Sequence, residues 1–355
     1  MILYVWKYDN DAETFEKVAV IDYAISVIWI RRFQTTGQFE LYLPASAELL
    51  ELFSGEIFIT RDNIDTAMSV EYIHLTTDAE NGDYLTISGR SAECIISRRI
   101  VPKQTVFSGT AENCIRYLLT ENIVSPGNAQ RKINVFSLGT AQGFTETIEK
   151  QVTGKNLLTT ISDICAAYDY GFKVTFTGTG FVFDLYKGTD RSLNQTENPY
   201  VIFSPEFENL GNTEYKLDKT TYYNSVFVAG EGEGTARKIA WIPPSYGDEG
   251  LRLREKWVDA RNMSSDDGEI SPTDYMQMLY AQCYEELALS KETTTFNGEI
   301  LDVNVYAFGV DYNLGDTVSI VNEYGVTGTA VVTEITEVED ENGYKIYPTL
   351  SEWSV

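Results

Sequence analysis

The sequence predicts a mainly β fold with an α/β insertion and two similar small β-domains that arose by internal duplication. Three observations carry this. Tyr and Phe number 23 and 17 among 355 residues, and aromatic side chains favour strands. Hairpin signals stand at Asp9-Asn10-Asp11-Ala12, Glu80-Asn81-Gly82-Asp83 and Glu341-Asn342-Gly343, and in the last two Asn-Gly supplies the positive φ angles of a tight turn. Short strings also recur in order. Gly37-Gln38-Phe39-Glu40-Leu41, Gly55-Glu56-Ile57-Phe58-Ile59, Glu80-Asn81-Gly82 and Leu85-Thr86-Ile87-Ser88 make one set. Gly298-Glu299-Ile300-Leu301, Gly315-Asp316-Thr317-Val318-Ser319-Ile320, Glu341-Asn342-Gly343 and Thr349-Leu350-Ser351 answer it. Gly37 to Gly55 and Gly298 to Gly315 are 18 and 17 residues; Gly55 to Gly82 and Gly315 to Gly343 are 27 and 28. Two copies of one small β-domain, separated by unlike material, explain the match.

Residues 1–104 read as the first β-domain copy. Strands are expected at Leu3 to Tyr8, Lys17 to Tyr23, Tyr23 to Phe33 and Phe39 to Leu43. Ser46 to Phe53 is a short helix with Leu49, Leu50 and Phe53 inward. Strands resume at Gly55 to Arg61, Met68 to Thr76 and Asp83 to Gly89, and Ser91 caps a helical turn ending at Arg98-Arg99. Residues 105–200 read as the α/β insertion. Thr110 caps a helix with Ile115, Leu118, Leu119 and Ile123 inward. A longer helix, about Lys155 to Asp169, carries Leu157, Leu158, Ile161, Ile164, Cys165 and Tyr168 at helical spacing, and Gly171 stops it. Phe172 to Phe176 and Phe181 to Tyr186 pair across Thr177-Gly178-Thr179-Gly180. Residues 201–289 read as a β-rich segment that ends in a helix over 271–290, with Ser271 as cap and Pro272 at the first position. Its expected inner stripe is Met276, Leu279, Tyr280, Cys283 and Leu287. Residues 290–355 read as the second copy.

Hydrophobic residues are 43% and charged residues 23% of the chain, an ordinary globular composition, long enough for two or three domains. The net charge of −26 argues against a nucleic-acid-binding surface, which needs Lys and Arg to displace phosphate counterions. Cys94, Cys114, Cys165 and Cys283 form no CxxC motif, and the last three, on the apolar faces of expected helices, read as buried free thiols. The N-terminus lacks the pattern of a signal peptide and no run of about 18 apolar residues exists, so synthesis and folding in a cytoplasm, with no membrane span, are expected.

Catalytic, cofactor-binding and metal residues are all expected to be none. His74, the one histidine, reads as a lone strand residue, since a nucleophile–His pair or a zinc site needs partners. Gly230-Glu231-Gly232-Glu233-Gly234 lacks the strand-to-helix setting of a phosphate loop. Its two carboxylates are too loosely placed for glycoside hydrolysis. Asp266-Asp267-Gly268-Glu269 lacks calcium-loop spacing. Arg31-Arg32 and Arg98-Arg99, rare basic pairs in an acidic chain, are candidates to meet acidic patches on a neighbouring subunit.

A set of strings spread over about residues 20–350 resembles a tail-hub family of long-tailed phages and prophages, the siphovirus Gp37-like proteins. They are Gly89-Arg90-Ser91, Ile96-Ser97-Arg98-Arg99-Ile100-Val101, Gly109-Thr110-Ala111-Glu112, Lys155-Asn156-Leu157-Leu158, Val201-Ile202-Phe203-Ser204-Pro205-Glu206-Phe207, Val228-Ala229-Gly230-Glu231-Gly232-Glu233-Gly234, Val258-Asp259-Ala260-Arg261 and Tyr312-Asn313-Leu314-Gly315-Asp316-Thr317-Val318. The resemblance implies a homotrimer in which each chain gives two β-barrel domains to a pseudo-six-fold ring at the tail tip or baseplate hub. It also implies contacts with the tail tube, the distal tail proteins and fibre or receptor-binding proteins. DNA would pass through the ring without being bound, and the protein would reside in the virion tail. Ending at Val355, just past the second copy, the chain resembles a hub without enzymatic or fibre-like extensions. The rival readings are a receptor-binding tail module with exposed Tyr and Trp, and a carbohydrate-active enzyme. The second needs two convergent carboxylates in an aromatic cleft.

Overall fold

The computed structural model describes residues 1–62, 64–78, 80, 82–209, 211–299, 305–321 and 327–354, with the backbone alone for 211–215, 294–299 and 351–354. Asn81 of the expected hairpin, and Ile300 and Leu301 of the expected repeat, lie outside the described residues.

The chain opens with a hairpin of β1 (Leu3–Asp9) and β2 (Thr14–Ile21). Strands β3 (Ser26–Arg32) and β4 (Gln38–Pro44) precede α1 (Ala47–Leu52), whose cap Ser46 accepts from the Leu49 amide. An antiparallel meander follows, β5 (Ile57–Arg61), β6 (Ile64–Asp78) and β7 (Gly82–Ser91). The strands pair in the order β2-β1-β5-β6-β7-β4-β3. Alternate residues point to one face of a sheet, so Leu3, Val5, Trp29, Leu41, Leu43, Leu85 and Ile87 meet in one core.

The middle of the chain holds α2 (Cys94–Ser97), β8 (Thr105–Thr110), α3 (Ala111–Leu119), β9 (Phe136–Leu138), β10 (Thr147–Val152), α4 (Leu157–Ala167), β11 (Gly171–Phe176) and β12 (Phe181–Tyr186). Thr110 and Asn156 cap α3 and α4 through their side chains. Ile115, Leu118, Leu119, Ile123, Leu157, Ile161 and Ile164 fill a second core with Phe172 and Phe183.

The remainder comprises β13 (Ile202–Phe203), β14 (Gly211–Asp218), β15 (Ser225–Ala229), β16 (Ile239–Ile242), β17 (Glu255–Asp259), α5 (Pro272–Leu289), β18 (Thr293–Glu299), β19 (Thr317–Val321), β20 (Thr327–Asp340) and β21 (Gly343–Ser354). Strands β16, β15 and β17 form a separate three-stranded sheet. Its inner face packs on α5 through Val226, Val228, Ala240, Leu279 and Cys283.

The order β3-β4-β7-β6-β5 recurs as β14-β18-β21-β20-β19, every pair antiparallel. A bulge between Val70 and Tyr72 in β6 has its counterpart between Val332 and Glu334 in β20. The hairpin that follows each long strand turns on a glycine of positive φ, Gly82 at 94° and Gly343 at 101°, angles that only glycine adopts freely. Counted from these hairpins, Phe39 opposite Gly89 matches Phe296 opposite Leu350. The sequence pairing of Gly37 with Gly298 is therefore four residues out of step. The frames differ elsewhere: β1 meets β5 antiparallel, whereas β13 meets β19 parallel. The connection from β3 to β4 is residues 33–37, and the one from β14 to β18 is residues 219–292.

Other expectations are corrected. Neither half closes into a barrel among the described residues: β3, which would have to meet β2, pairs instead with β20. Leu50 is 38% exposed while Leu49 and Phe53 are buried, because positions four apart share a helix face and the intervening one turns away. Ser91 caps nothing and accepts from the Gly37 amide at 2.6 Å. Asp169, at φ 54°, makes the left-handed turn after α4, and Gly171 opens β11. The buried side of α5 is Tyr275, Met278, Leu279, Cys283 and Glu285, with Tyr280 exposed. Tyr275 turns the helix inward, since its hydroxyl donates to the Met263 carbonyl and accepts from the Glu231 amide, both at 2.9 Å.

Candidate functional site

The most heavily built polar site lies where β3 and β20 run side by side. Six residue pairs form this seam, from Glu334 opposite Arg32 to Glu339 opposite Val27. Glu337 shares the strand parity of buried Ile335, a position that alternation reserves for an apolar side chain, and it is buried. Its carboxylate is held from both sides. Arg31 Nη2 donates to Oε2 at 2.8 Å, and Arg61, from β5, pairs with Oε1. The Tyr344 hydroxyl also donates to Glu337. Arg32 pairs with Glu334 beside it and donates to the Thr36 carbonyl at 3.0 Å. The guanidinium of Arg61 lies 5.4 Å from the Trp29 ring, and that of Arg31 lies 4.7 Å from the Phe308 ring. Burial alone would raise the Glu337 carboxyl, but the two guanidiniums outweigh it and hold it below its ordinary value. Burial, together with the bond to Glu337, pushes Tyr344 up to about 12. The arrangement locks β3 and β20 in register within one continuous sheet. It offers charge balance rather than a reacting group.

The basic pairs singled out in the sequence find partners within the same chain. Arg31 and Arg32 bind Glu337 and Glu334, Arg98 pairs with Glu56 at 3.1 Å, and Arg99 donates to the Arg131 carbonyl at 3.0 Å. The Ser265 hydroxyl, and after it the Ser265 amide at 3.0 Å, lower the Glu231 carboxyl pKa. Glu233 is exposed at the start of a short turn. His74 is exposed on β6, its ring 6.0 Å from that of Tyr72. Asp266, Asp267 and Gly268 make a tight turn of positive φ angles. No cluster of His, Cys, Asp and Glu able to hold a metal occurs among the described residues, nor is any described helix long and apolar enough to cross a membrane. All four cysteines are free and buried. Burial raises Cys94 and Cys283 to about 11 and Cys114 to about 12, far from the thiolate range.

Four polar anchors escaped the sequence reading. Glu112 accepts from the amides of Gln142, Gly143 and Phe144 at 2.6, 2.8 and 2.9 Å and fixes that loop. Asp316 accepts from the Thr189 and Asn313 amides and from Arg191. Lys150 on β10 and Glu285 on α5 form a buried ion pair. Charged residues that bind across long sequence separations leave no local signal. Only Glu337, standing at an inward strand position, carried one.

Comparison with known proteins fits this architecture. The fold is that of phage and prophage tail proteins. A tail protein from Neisseria meningitidis is similar at 12% identity and TM-score 0.58, covering 99% of this chain and 96% of that one. The 43 kDa tail protein of prophage MuSo2 from Shewanella oneidensis is similar at 11% identity and TM-score 0.58, with 99% and 98% covered. Prophage tail protein gp18 from Listeria monocytogenes is similar at 14% identity and TM-score 0.51, with 99% and 94% covered. The chain belongs to the Siphovirus ReqiPepy6 Gp37-like protein family, whose model matches residues 2–350. No curated protein sequence matches it.

Proposed function

We propose that this protein is a structural hub at the tip or baseplate of a phage or prophage tail, a homotrimer whose ring of pseudo-six-fold symmetry joins the tail tube to the distal apparatus. The observation that supports it best is the recurrence of one five-strand order, bulge and hairpin glycine included, in two parts of the chain. In this reading residues 1–104 and 290–355, the latter completed by β14, are the two copies of a duplicated unit. Residues 105–200 and 201–289 are attachments. Three chains with two like units each supply the six places that a six-fold tube presents. The chain runs no chemical step, and it sits in the virion tail. Mass measurement of the purified protein, alone and with tail-tube protein, tests this. A trimer is expected with the tube protein. A stable dimer with a closed two-fold interface would overturn the reading, because an isologous pair cannot build such a ring.

A receptor-binding module is the second reading, and one observation favours it. Trp241, Phe227 and Trp257 stack across the outer face of the three-stranded sheet, with rings 5.4 and 6.5 Å apart, and both tryptophans are exposed. Blocking of phage adsorption by the purified chain would establish it.

A further inference from the structure

The seam between β3 and β20 has an unfilled counterpart on each side of the chain. β5 covers one edge of β6 only as far as the pair Phe58–Ser69, just as β19 covers β20 only through Thr317–Val331. Beyond the bulge, β20 residues 334–339 are covered by β3 and none is exposed. The equivalent β6 residues, 72–77, have no strand on that edge among the described residues, and all six are exposed. They read Tyr-Ile-His-Leu-Thr-Thr. Tyr72 is 55%, Ile73 37% and Leu75 41% exposed. Free edges are ordinarily guarded by Lys, Pro or inward charge, and this one has none. At the other end, β14 holds the place that β3 holds in the first frame. It pairs only with β18 among the described residues.

We propose that β14 of one copy of this chain adds to the open edge of β6 on the next copy, antiparallel and in the register that β3 keeps on β20. This rests on the ring reading and names its subunit contact. Carrying the internal register across places Ile73 opposite Leu217, Leu75 opposite Tyr215 and His74 opposite Lys216. Leu217, like Ile73, is an exposed apolar residue on a strand edge. The occupant is a second copy because the chain itself holds the matching pair of edges. One edge meets a different edge, so the contact is heterologous and generates a ring rather than a two-fold dimer. Backbone hydrogen bonds supply affinity and side-chain register supplies specificity, as in other strand additions. The internal seam is fastened by Arg–Glu pairs. The transferred register has no such pairs, so assembly works against the self-repulsion of a chain of charge −26. Added salt should screen that repulsion and promote the ring.

The test uses the full chain carrying Ile73→Cys and Leu217→Cys, the native cysteines being buried. Mild oxidation, with tail-tube protein present, should give covalently closed trimers that dithiothreitol releases. Either single variant should give none. Ile73→Lys should abolish trimers while leaving thermal unfolding unchanged, because residue 73 is already exposed. Salt should raise the trimer fraction. Trimers that the double variant does not cross-link would overturn the edge assignment and leave the ring reading standing. A chain that neither cross-links nor assembles with the tube protein would overturn both. Trimers that dissolve as salt rises would also refute this edge, since they would point to a contact built on ion pairs.

Discussion

Arg61 and Glu337 lie 276 residues apart in sequence and pair in the interior with side chains 6% and 3% exposed. Arg61 ends the short strand of the N-terminal meander, and Glu337 stands in the long strand of the C-terminal one. One carboxylate therefore fixes the distance between the two parts of the chain that share a strand order.

Removing that carboxylate should be expensive. Glu337→Ala leaves Arg61 buried and charged without its partner, and a broken buried pair costs about 3–5 kcal/mol. Urea unfolding will measure it. A loss below about 1 kcal/mol would show that the seam is held by its backbone ladder alone.

Acid should loosen the same seam. The folded value of Glu337 lies below its unfolded one, so its contribution is complete above the unfolded value and is lost as pH falls through the folded value. Stability should decline below the ordinary glutamate value of about 4.3. Glu337→Gln should flatten that decline. Parallel profiles for the two proteins would refute the assignment.

Lys150 and Glu285 fasten α5 to β10 through a second buried pair. Lys150→Met alone should cost about 3–5 kcal/mol, whereas Lys150→Met with Glu285→Leu should restore stability to within about 1 kcal/mol of the parent or exceed it. A double variant no better than the single would show that the pair contributes more than mutual neutralisation.

Core truncations divide sharply by position. Leu157→Ala, Ile161→Ala and Leu279→Ala each open a cavity at a fully buried site and should cost about 2–5 kcal/mol. Leu50→Ala, on the outer face of α1, should stay within about 0.5 kcal/mol. Denaturant midpoints will separate the two classes.

If three chains surround a channel for DNA, its wall should be net acidic, because each bore-facing Lys or Arg would trade counterions for a phosphate and hold the duplex back. The assembled ring should show no DNA retention at ordinary salt. Tight binding in a filter or mobility assay would refute the channel.

Much of the frame was legible because it follows from local rules. The hairpin at Gly343, the caps at Thr110 and Ser271, and the strands Phe172 to Phe176 and Phe181 to Tyr186 all stand where turn chemistry and alternation put them. The failures are tertiary. Leu50 and Tyr280 are apolar at plausible positions, but the surfaces that would receive them lie elsewhere. Asp169 took the left-handed turn that Gly171 was expected to make, because the strand starting at Gly171 needs extended backbone. Phe39 and Phe296 show that a repeat written in ladder register can slip by four residues when read from glycines. Arg61 was invisible because its partner Glu337 lies 276 residues away.

Two connections of very different size bridge the same pair of neighbouring strands. Five residues join β3 to β4, while 74 residues, containing a sheet and a helix, join β14 to β18. Closing the longer loop costs only about 2 kcal/mol more, since the penalty grows with the logarithm of length. The frame is thus a mounting rail. Whatever is inserted at that one connection can be enlarged, trimmed or exchanged while the paired strands of the frame stay as they are. A lineage could acquire a new attachment there without redesigning the sheet that carries it.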